Sequence, residues 1–318
     1  MGAGRSVRPP AGAGKMTPGL VVGREKSWGA VRLRDSLKIA VASGKGGTGK
    51  TTVATNLALA ISGQYPVQFL DCDVEEPNAH LFLKPHIDCS VPVEIPVPHV
   101  NREKCTYCGK CADVCPQHAL GVFPGQVLIF PELCHGCGAC TLFCPQKAIT
   151  EVGRPVGVVE SGKAGEVAFT HGRLNVREAF APPVVRAVKK ETRPRGVTII
   201  DVAPGTSCPV VEALKGVDFC LLVTEPTPFG LHDLRLVVQV LEKLGIPAGL
   251  VINRADVGDA GVSTFCRAKG LPIFMEIPQD RRIAETYARG VPLVEGEPRW
   301  AETFAALYRR MVAFAKEA

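Results

Sequence analysis

The chain has 318 residues, 46% of them hydrophobic, enough to build one large α/β domain with a smaller unit beside it. It contains no run of about 18 apolar residues and no apolar stretch at its N-terminus, which argues against a spanning helix and a secretory signal, so a cytoplasmic protein is expected. The formal net charge of +6 lies wholly in residues 1–38, where eight Lys or Arg face only Glu25 and Asp35; the other 29 basic and 29 acidic residues balance, which argues against a nucleic-acid partner.

Residues 1–36 are rich in Gly, Pro, Arg and Ala without apolar periodicity and read as a disordered basic tail. It is either a flexible extension or an over-extended start, with Met16 a second candidate initiator; a targeting segment or a nucleic-acid tether is the rival reading. A strand is expected at 37–43. It runs into Ser43-Gly44-Lys45-Gly46-Gly47-Thr48-Gly49-Lys50-Thr51-Thr52 and then a helix at 49–62, the strand, loop and helix order that a phosphate-binding loop requires. Gly44, Gly46, Gly47 and Gly49 let backbone N–H groups of the loop, with Thr48 and Thr52, curl round an anion at a helix N-terminus. Lys50 is expected on the β and γ phosphates and Thr51 on Mg2+. A second strand at 67–71 ends in Asp71-Cys72-Asp73.

The alternation of strands and helices then stops. Between 97 and 152 Cys, Pro and Gly replace the apolar runs, and the Pro-rich stretch 91–98 and the stretch 153–157 read as the connections of an inserted unit. The 13 cysteines of a reducing compartment argue for metal rather than disulfides. Cys105, Cys108, Cys111 and Cys115-Pro116 form C-x2-C-x2-C-x3-C-P, and Cys134, Cys137, Cys140 and Cys144-Pro145 repeat it. In this arrangement three thiolates of each run hold one [4Fe-4S] cluster and the fourth crosses to the other. The expected sets are Cys105, Cys108, Cys111 and Cys144 for one cluster, and Cys134, Cys137, Cys140 and Cys115 for its neighbour. Paired zinc sites would need neither the third close cysteine nor the trailing proline. Loaded with two clusters, the body of the protein turns acidic.

Helices at 175–190, 230–244 and 297–316 and strands at 197–201, 218–223, 248–252 and 272–276 complete the pattern of a parallel sheet covered on both faces. Cys72, Cys89, Cys220 and Cys266 sit in or beside apolar runs and read as small buried hydrophobes. The stripe Trp300, Phe304, Leu307, Met311 and Phe314 reads as the face of a helix covering the sheet, with a membrane-surface helix as its rival.

The loop, with Lys45 directly after its first glycine, resembles the deviant Walker A of the MinD, ParA, Mrp and nitrogenase iron protein superfamily, and the inserted unit resembles a bacterial dicluster ferredoxin over about 55 residues. The resemblance continues through Asp71-Cys72-Asp73, Asp201 with Pro204-Gly205, Thr224-Glu225-Pro226-Thr227-Pro228-Phe229-Gly230, Asn253 and Pro278. It implies an α/β fold of the P-loop NTPase type, doubly wound and mostly parallel, over 37–96 and 153–318, with an inserted α+β ferredoxin-like domain over 97–152. It further implies that Lys45 crosses to a partner's nucleotide, so a homodimer or a dimer with a paralogue is expected. Asp73 is then the residue that orients or deprotonates water, Asp201 holds a Mg2+-bound water, Gly205 senses the γ phosphate, and Asn253 and Pro278 bracket the adenine.

Cys208 falls in the register with which nitrogenase iron protein ligates an intersubunit cluster. The second ligand of such a site is missing near 171–174, and the C-x-x-C pair of Mrp-type carriers is absent from the C-terminal half. The leading expectation is an ATP-gated redox protein with ATP, Mg2+ and two [4Fe-4S] clusters, working with a redox partner or an iron-sulfur acceptor. The alternatives are ATP-dependent cluster assembly or carriage, and a redox-sensing positioning ATPase without stable membrane insertion.

Overall fold

A computed structural model describes Met1 and residues 36–317; the expected tail, apart from Met1 and Ser36, lies outside the described residues. The chain alternates strand and helix from β1 (Ser36–Ala42) through α1 (Lys50–Ser62), β2 (Val67–Cys72) and α2 (Ala79–Leu83). The chain goes on from β3 (His86–Val100) through α3 (Lys110–Asp113), β4 (Leu120–Phe123), β5 (Gln126–Ile129) and α4 (Ala139–Leu142) to β6 (Ile149–Ala164). Then follow β7 (Val167–Leu174), α5 (Pro182–Lys190), β8 (Gly196–Val202), α6 (Cys208–Leu214), β9 (Phe219–Thr224) and α7 (Pro228–Leu244). The chain continues through β10 (Ala248–Asn253), α8 (Gly261–Lys269), β11 (Ile273–Ile277), α9 (Arg281–Ala288), α10 (Leu293–Gly296) and α11 (Arg299–Glu317).

Nine strands form one sheet in the order β11-β10-β9-β1-β8-β2-β7-β6-β3. The first seven are parallel to their neighbours, while β6 and β3 close the far edge antiparallel. The central strands carry unbroken apolar runs because both their faces are covered. In β1, Ile39 and Val41 belong to the core shared with α1 and α11, whereas Ala40 and Ala42 face the core shared with α5, α6, α7 and α8. Trp300, Phe304, Leu307 and Met311 are buried in the first of these cores, so the apolar stripe of α11 covers the sheet and is not left for a membrane surface. Among the described residues no helix is long and apolar enough to cross a membrane.

Three expectations need correction. The stretches 91–98 and 153–157 are not loose connections but lie in β3 and β6, paired antiparallel from His86–Lys163 to Val100–Ile149. Pro92, Pro96 and Pro98 share one parity on an edge strand, so their missing N–H groups can all face the unpaired side, the one place a sheet tolerates them. The helix expected from 175 starts at Pro182, because Pro182-Pro183 suit a first helical turn, whose N–H groups have no partner anyway. Strand β7 has no counterpart in the sequence reading: Thr170 and His171 interrupt its apolar run although both are buried.

Register places residues 101–148. Strand β7 ends at Leu174, which pairs with Gly157, so residues 149–156 of β6 and the matching part of β3 project beyond the carboxyl ends of the parallel strands. Residues 101–148, with the β4–β5 hairpin, hang from that projection. They therefore stand at the same edge of the sheet as the loops after β1, β2 and β8.

Candidate nucleotide site and paired cysteine cavities

The loop after β1 wraps into α1 through Gly47 (φ 78°) and Gly49 (φ 91°), both in the left-handed region that favours glycine. Gly49 has a second constraint, since a β-carbon there would collide with the Asn253 amide. That amide donates to the Thr48 carbonyl at 2.8 Å, so Asn253 braces the loop from the end of β10. Gly44 lies against the α7 backbone, where a β-carbon would come within 2.5 Å of Asp233. The Gly205 N–H donates to the Ser43 carbonyl at 2.9 Å and ties the loop after β8 to the same cradle.

Inside the cradle, Lys50 Nζ lies 2.5 Å from Asp201 Oδ1 and 3.6 Å from Asp73 Oδ2, and Thr51 Oγ1 donates to Asp201 Oδ2 at 2.7 Å. Lys50, Asp71 and Asp201 are all buried. Burial works against the Lys50 charge, but Asp201 and Asp73 outweigh it and hold the ammonium above its ordinary pKa. Burial, reinforced by the Asp201 charge, pushes the Asp71 carboxyl well above the carboxylate range. Asp71 accepts the N–H groups of Asp73 and Ala79, which orients the turn after β2. Burial also raises Asp73, against the pull of Lys50, and so makes it a better proton acceptor. The Thr48 hydroxyl is buried without a partner. The site thus offers a buried cation, a left-handed glycine loop and an orphaned hydroxyl, all of which suit a phosphate and its Mg2+.

Lys45 turns back onto its own chain, with Nζ 2.9 Å from Glu225 Oε2, while Arg254 Nη1 holds Glu225 Oε1 at 2.6 Å. In the sequence Glu225 stands out only within the segment 224–230, and its one signal is a carboxylate just after the apolar run of a central strand. Pro278 follows β11, in a loop held to the 253–256 loop by Ala255 N–H to the Ile277 carbonyl (2.9 Å) and Gln279 N–H to Asp256 Oδ1 (2.7 Å). Asn253 and Pro278 therefore belong to adjoining loops. The Asn253 amide is partly committed to the loop it braces.

The eight motif cysteines line two separate cavities of about 360 Å3 each, open mouths included. Cys105, Cys108, Cys111 and Cys144 line one, together with Val122 and Val127; Cys115, Cys134, Cys137 and Cys140 line the other, together with Pro96 and His135. The fourth cysteine of each run has crossed to its neighbour's cavity. The two halves also match in backbone: His118 and Lys147 are both left-handed, and the Ala119 and Ala148 N–H groups donate to Cys115 and Cys144 Sγ at 3.3 Å.

Among the described residues no three His, Cys, Asp or Glu side chains stand close enough to chelate one metal ion. Each cavity is lined by four cysteines, the number of protein ligands a [4Fe-4S] cluster takes. Burial pushes the Cys111 and Cys140 thiols above their ordinary value. Of the other cysteines, Cys72, Cys220 and Cys266 are buried as expected, whereas Cys89 is exposed because it lies on the edge strand β3. Cys208 is exposed at the start of α6.

A family model described as the CobQ/CobB/MinD/ParA nucleotide binding domain matches residues 39–293. The chain is 33% identical to an uncharacterised protein of Methanocaldococcus jannaschii, over 81% of this chain and 91% of that one. It is 25% identical to the iron-sulfur cluster carrier protein of Pyrococcus horikoshii, over 92% of this chain and 89% of that one. In structure it is similar to the septum site-determining protein MinD of Pyrococcus horikoshii complexed with Mg-ADP, with a TM-score of 0.56 at 20% identity, covering 87% of this chain and 96% of that one.

Proposed function

The chain belongs to the CobQ/CobB/MinD/ParA nucleotide-binding family and has its P-loop ATPase fold, and from that premise we propose that it couples MgATP-driven dimer switching to electron transfer through two [4Fe-4S] clusters. The observation that carries this reading is the shared edge: the phosphate loop and both cysteine cavities stand at the carboxyl ends of the parallel strands.

Lys50 neutralises charge on the β and γ phosphates, and Thr51 ligates Mg2+. Asp201, which already bonds both, would help to hold the metal beside Thr51. Asp73, with its raised proton affinity, orients the attacking water and takes its proton. Gly205, bonded to the loop through Ser43, reports the presence of the γ phosphate to α6. Lys45 leaves Glu225 to reach a partner's nucleotide, and the loops of Asn253 and Pro278 enclose the base. When bound, the clusters supply one-electron outer-sphere transfer, since cysteine fills every ligand position. The four cysteines that line each cavity would hold its cluster beside the ribbon of β3 and β6, which contributes Val100 and Ile149 to one cavity and Pro96 and Glu151 to the other.

Anaerobic purification tests the proposal. One preparation should carry about eight irons per chain, give the signals of reduced cubanes, and hydrolyse ATP only with Mg2+. Iron without nucleotide turnover, or turnover without iron, contradicts it.

A second reading, ATP-dependent carriage of clusters to acceptor proteins, draws on the relatives named iron-sulfur cluster carrier proteins. Against it stands the missing C-x-x-C pair in the C-terminal half. Transfer of iron to an apo-acceptor at a rate raised by MgATP would favour it.

A further inference from the structure

The two cysteine cavities are connected differently to the rest of the protein. The His135 ring, between Cys134 and Gly136, is stacked face to face on Phe180, with centroids 3.9 Å apart and planes 7° from parallel. Phe180 is fixed from two sides. Its N–H donates to Glu178 Oε1 at 3.0 Å, and Glu178 pairs with Arg154 of β6. Two residues later α5 begins, and it runs along α6 to Lys189. Lys189 Nζ donates to the carbonyls of Glu212 (2.9 Å) and Ala213 (2.8 Å), and to that of Lys215, so it gathers the free carbonyl end of α6. The other end of α6 begins at Cys208, three residues after Gly205, whose N–H is bound to the phosphate loop. The cavity of Cys105, Cys108, Cys111 and Cys144 is lined by Val122 and Val127 of the β4–β5 hairpin and by Val100 and Ile149 of β3 and β6, and among the described residues none that line it is stacked on Phe180 or hydrogen-bonded to α5.

We propose that α5, pinned at one end by the Phe180–His135 stack and at the other by Lys189, is a strut that transmits movement of α6 to the Cys115, Cys134, Cys137 and Cys140 site alone. Phe180 and Lys189 are then positioning residues, which touch neither nucleotide nor thiolate. The inference rests on the nucleotide and cluster reading given above. A packed helix between two sites carries coupling only if both its ends are fastened to the elements it links, and here one end stacks on His135 and the other is hydrogen-bonded to α6.

Hydrogen exchange on the iron-loaded, full-length protein tests it, with and without Mg2+ and a non-hydrolysable ATP analogue, in the wild type, Phe180→Ala, Lys189→Met and the conservative Phe180→Tyr. The analogue should alter exchange at 203–210 in all four proteins. At 134–138 it should alter exchange in the wild type and Phe180→Tyr, and the response should be lost in Phe180→Ala and Lys189→Met. A response at 134–138 that survives both substitutions, or is absent from a wild type that responds at 203–210, overturns the strut and leaves the proposed function standing. No response at 203–210, or no iron, overturns both.

Discussion

Lys45 and Glu225 of the same chain are joined by an ion pair of 2.9 Å, and Glu225 keeps a second partner in Arg254. Glu225 is buried, whereas the Lys45 side chain is one-third exposed at 33%. The arrangement lets Lys45 depart without stranding a buried carboxylate, because Arg254 stays behind. Losing a single charge-assisted contact costs about 1–3 kcal/mol, within reach of the energy of nucleotide binding. Lys45→Ala should therefore bind nucleotide but no longer dimerise on adding MgATP, as light scattering will show, and Glu225→Gln should dimerise at a lower nucleotide concentration than the wild type.

Asp201 bonds both Lys50 and Thr51, so its loss strikes fold and chemistry together. Asp201→Ala leaves buried Lys50 with only Asp73 at 3.6 Å, a broken buried pair that should cost about 3 kcal/mol or more in a denaturant titration. Mg2+-dependent turnover should fall by about a hundredfold or more. Asp73→Asn should slow turnover while leaving nucleotide affinity nearly unchanged.

The proposed crossed ligation predicts separable effects of the cysteines. Cys144→Ser should remove the cluster of Cys105, Cys108 and Cys111, and Cys115→Ser that of Cys134, Cys137 and Cys140. Each variant should fall from about eight irons to about four, and the signals that remain should differ between them. Identical residual spectra would contradict the crossed assignment.

The pair of buried His171 and partly exposed Glu160 makes stability fall in acid. Burial lowers the His171 pKa from its ordinary 6.5 despite the Glu160 hydrogen bond. Partial burial works to raise Glu160, yet the His171 bond and the Arg173 charge hold it below 4.5. Both folded-state values lie beneath the unfolded ones, so the unfolded chain takes up more protons as pH falls. The contribution of His171 is present above about pH 6.5 and declines as pH falls below it; that of Glu160 follows below about 4.5. The urea midpoint should drop between neutral and mildly acidic pH, and His171→Gln should flatten that drop.

Phe304 of α11 is fully buried between the helix and the sheet. Phe304→Ala should cost about 3–5 kcal/mol of stability. The denaturation midpoint measures it, and a change below 1 kcal/mol would mean that α11 does not cover the sheet.

Much of this was legible in the sequence for physical reasons. Strands such as 219–224, buried on both faces, must be continuous apolar runs, and a glycine loop ending in Lys50-Thr51 has few other uses. The grouping of Cys144 with the first run and of Cys115 with the second, seen in the linings of the two cavities, followed from the spacing of the two motifs. Strand β7 was hidden because buried Thr170 and His171 read as loop, and β3 because its prolines are tolerated only on an edge, which sequence does not reveal. The pairs Lys45–Glu225 and His135–Phe180 join residues far apart in sequence, and no local pattern announces them.

The central claim is that nucleotide at the phosphate loop alters the cubanes at the same edge of the sheet. The most direct measurement is the midpoint potential of each cluster under anaerobic conditions, with and without Mg2+ and a non-hydrolysable ATP analogue. The account predicts that at least the cluster of Cys115, Cys134, Cys137 and Cys140 shifts by about 60 mV, the one-electron equivalent of a tenfold coupling. Two potentials unmoved by saturating analogue would contradict it.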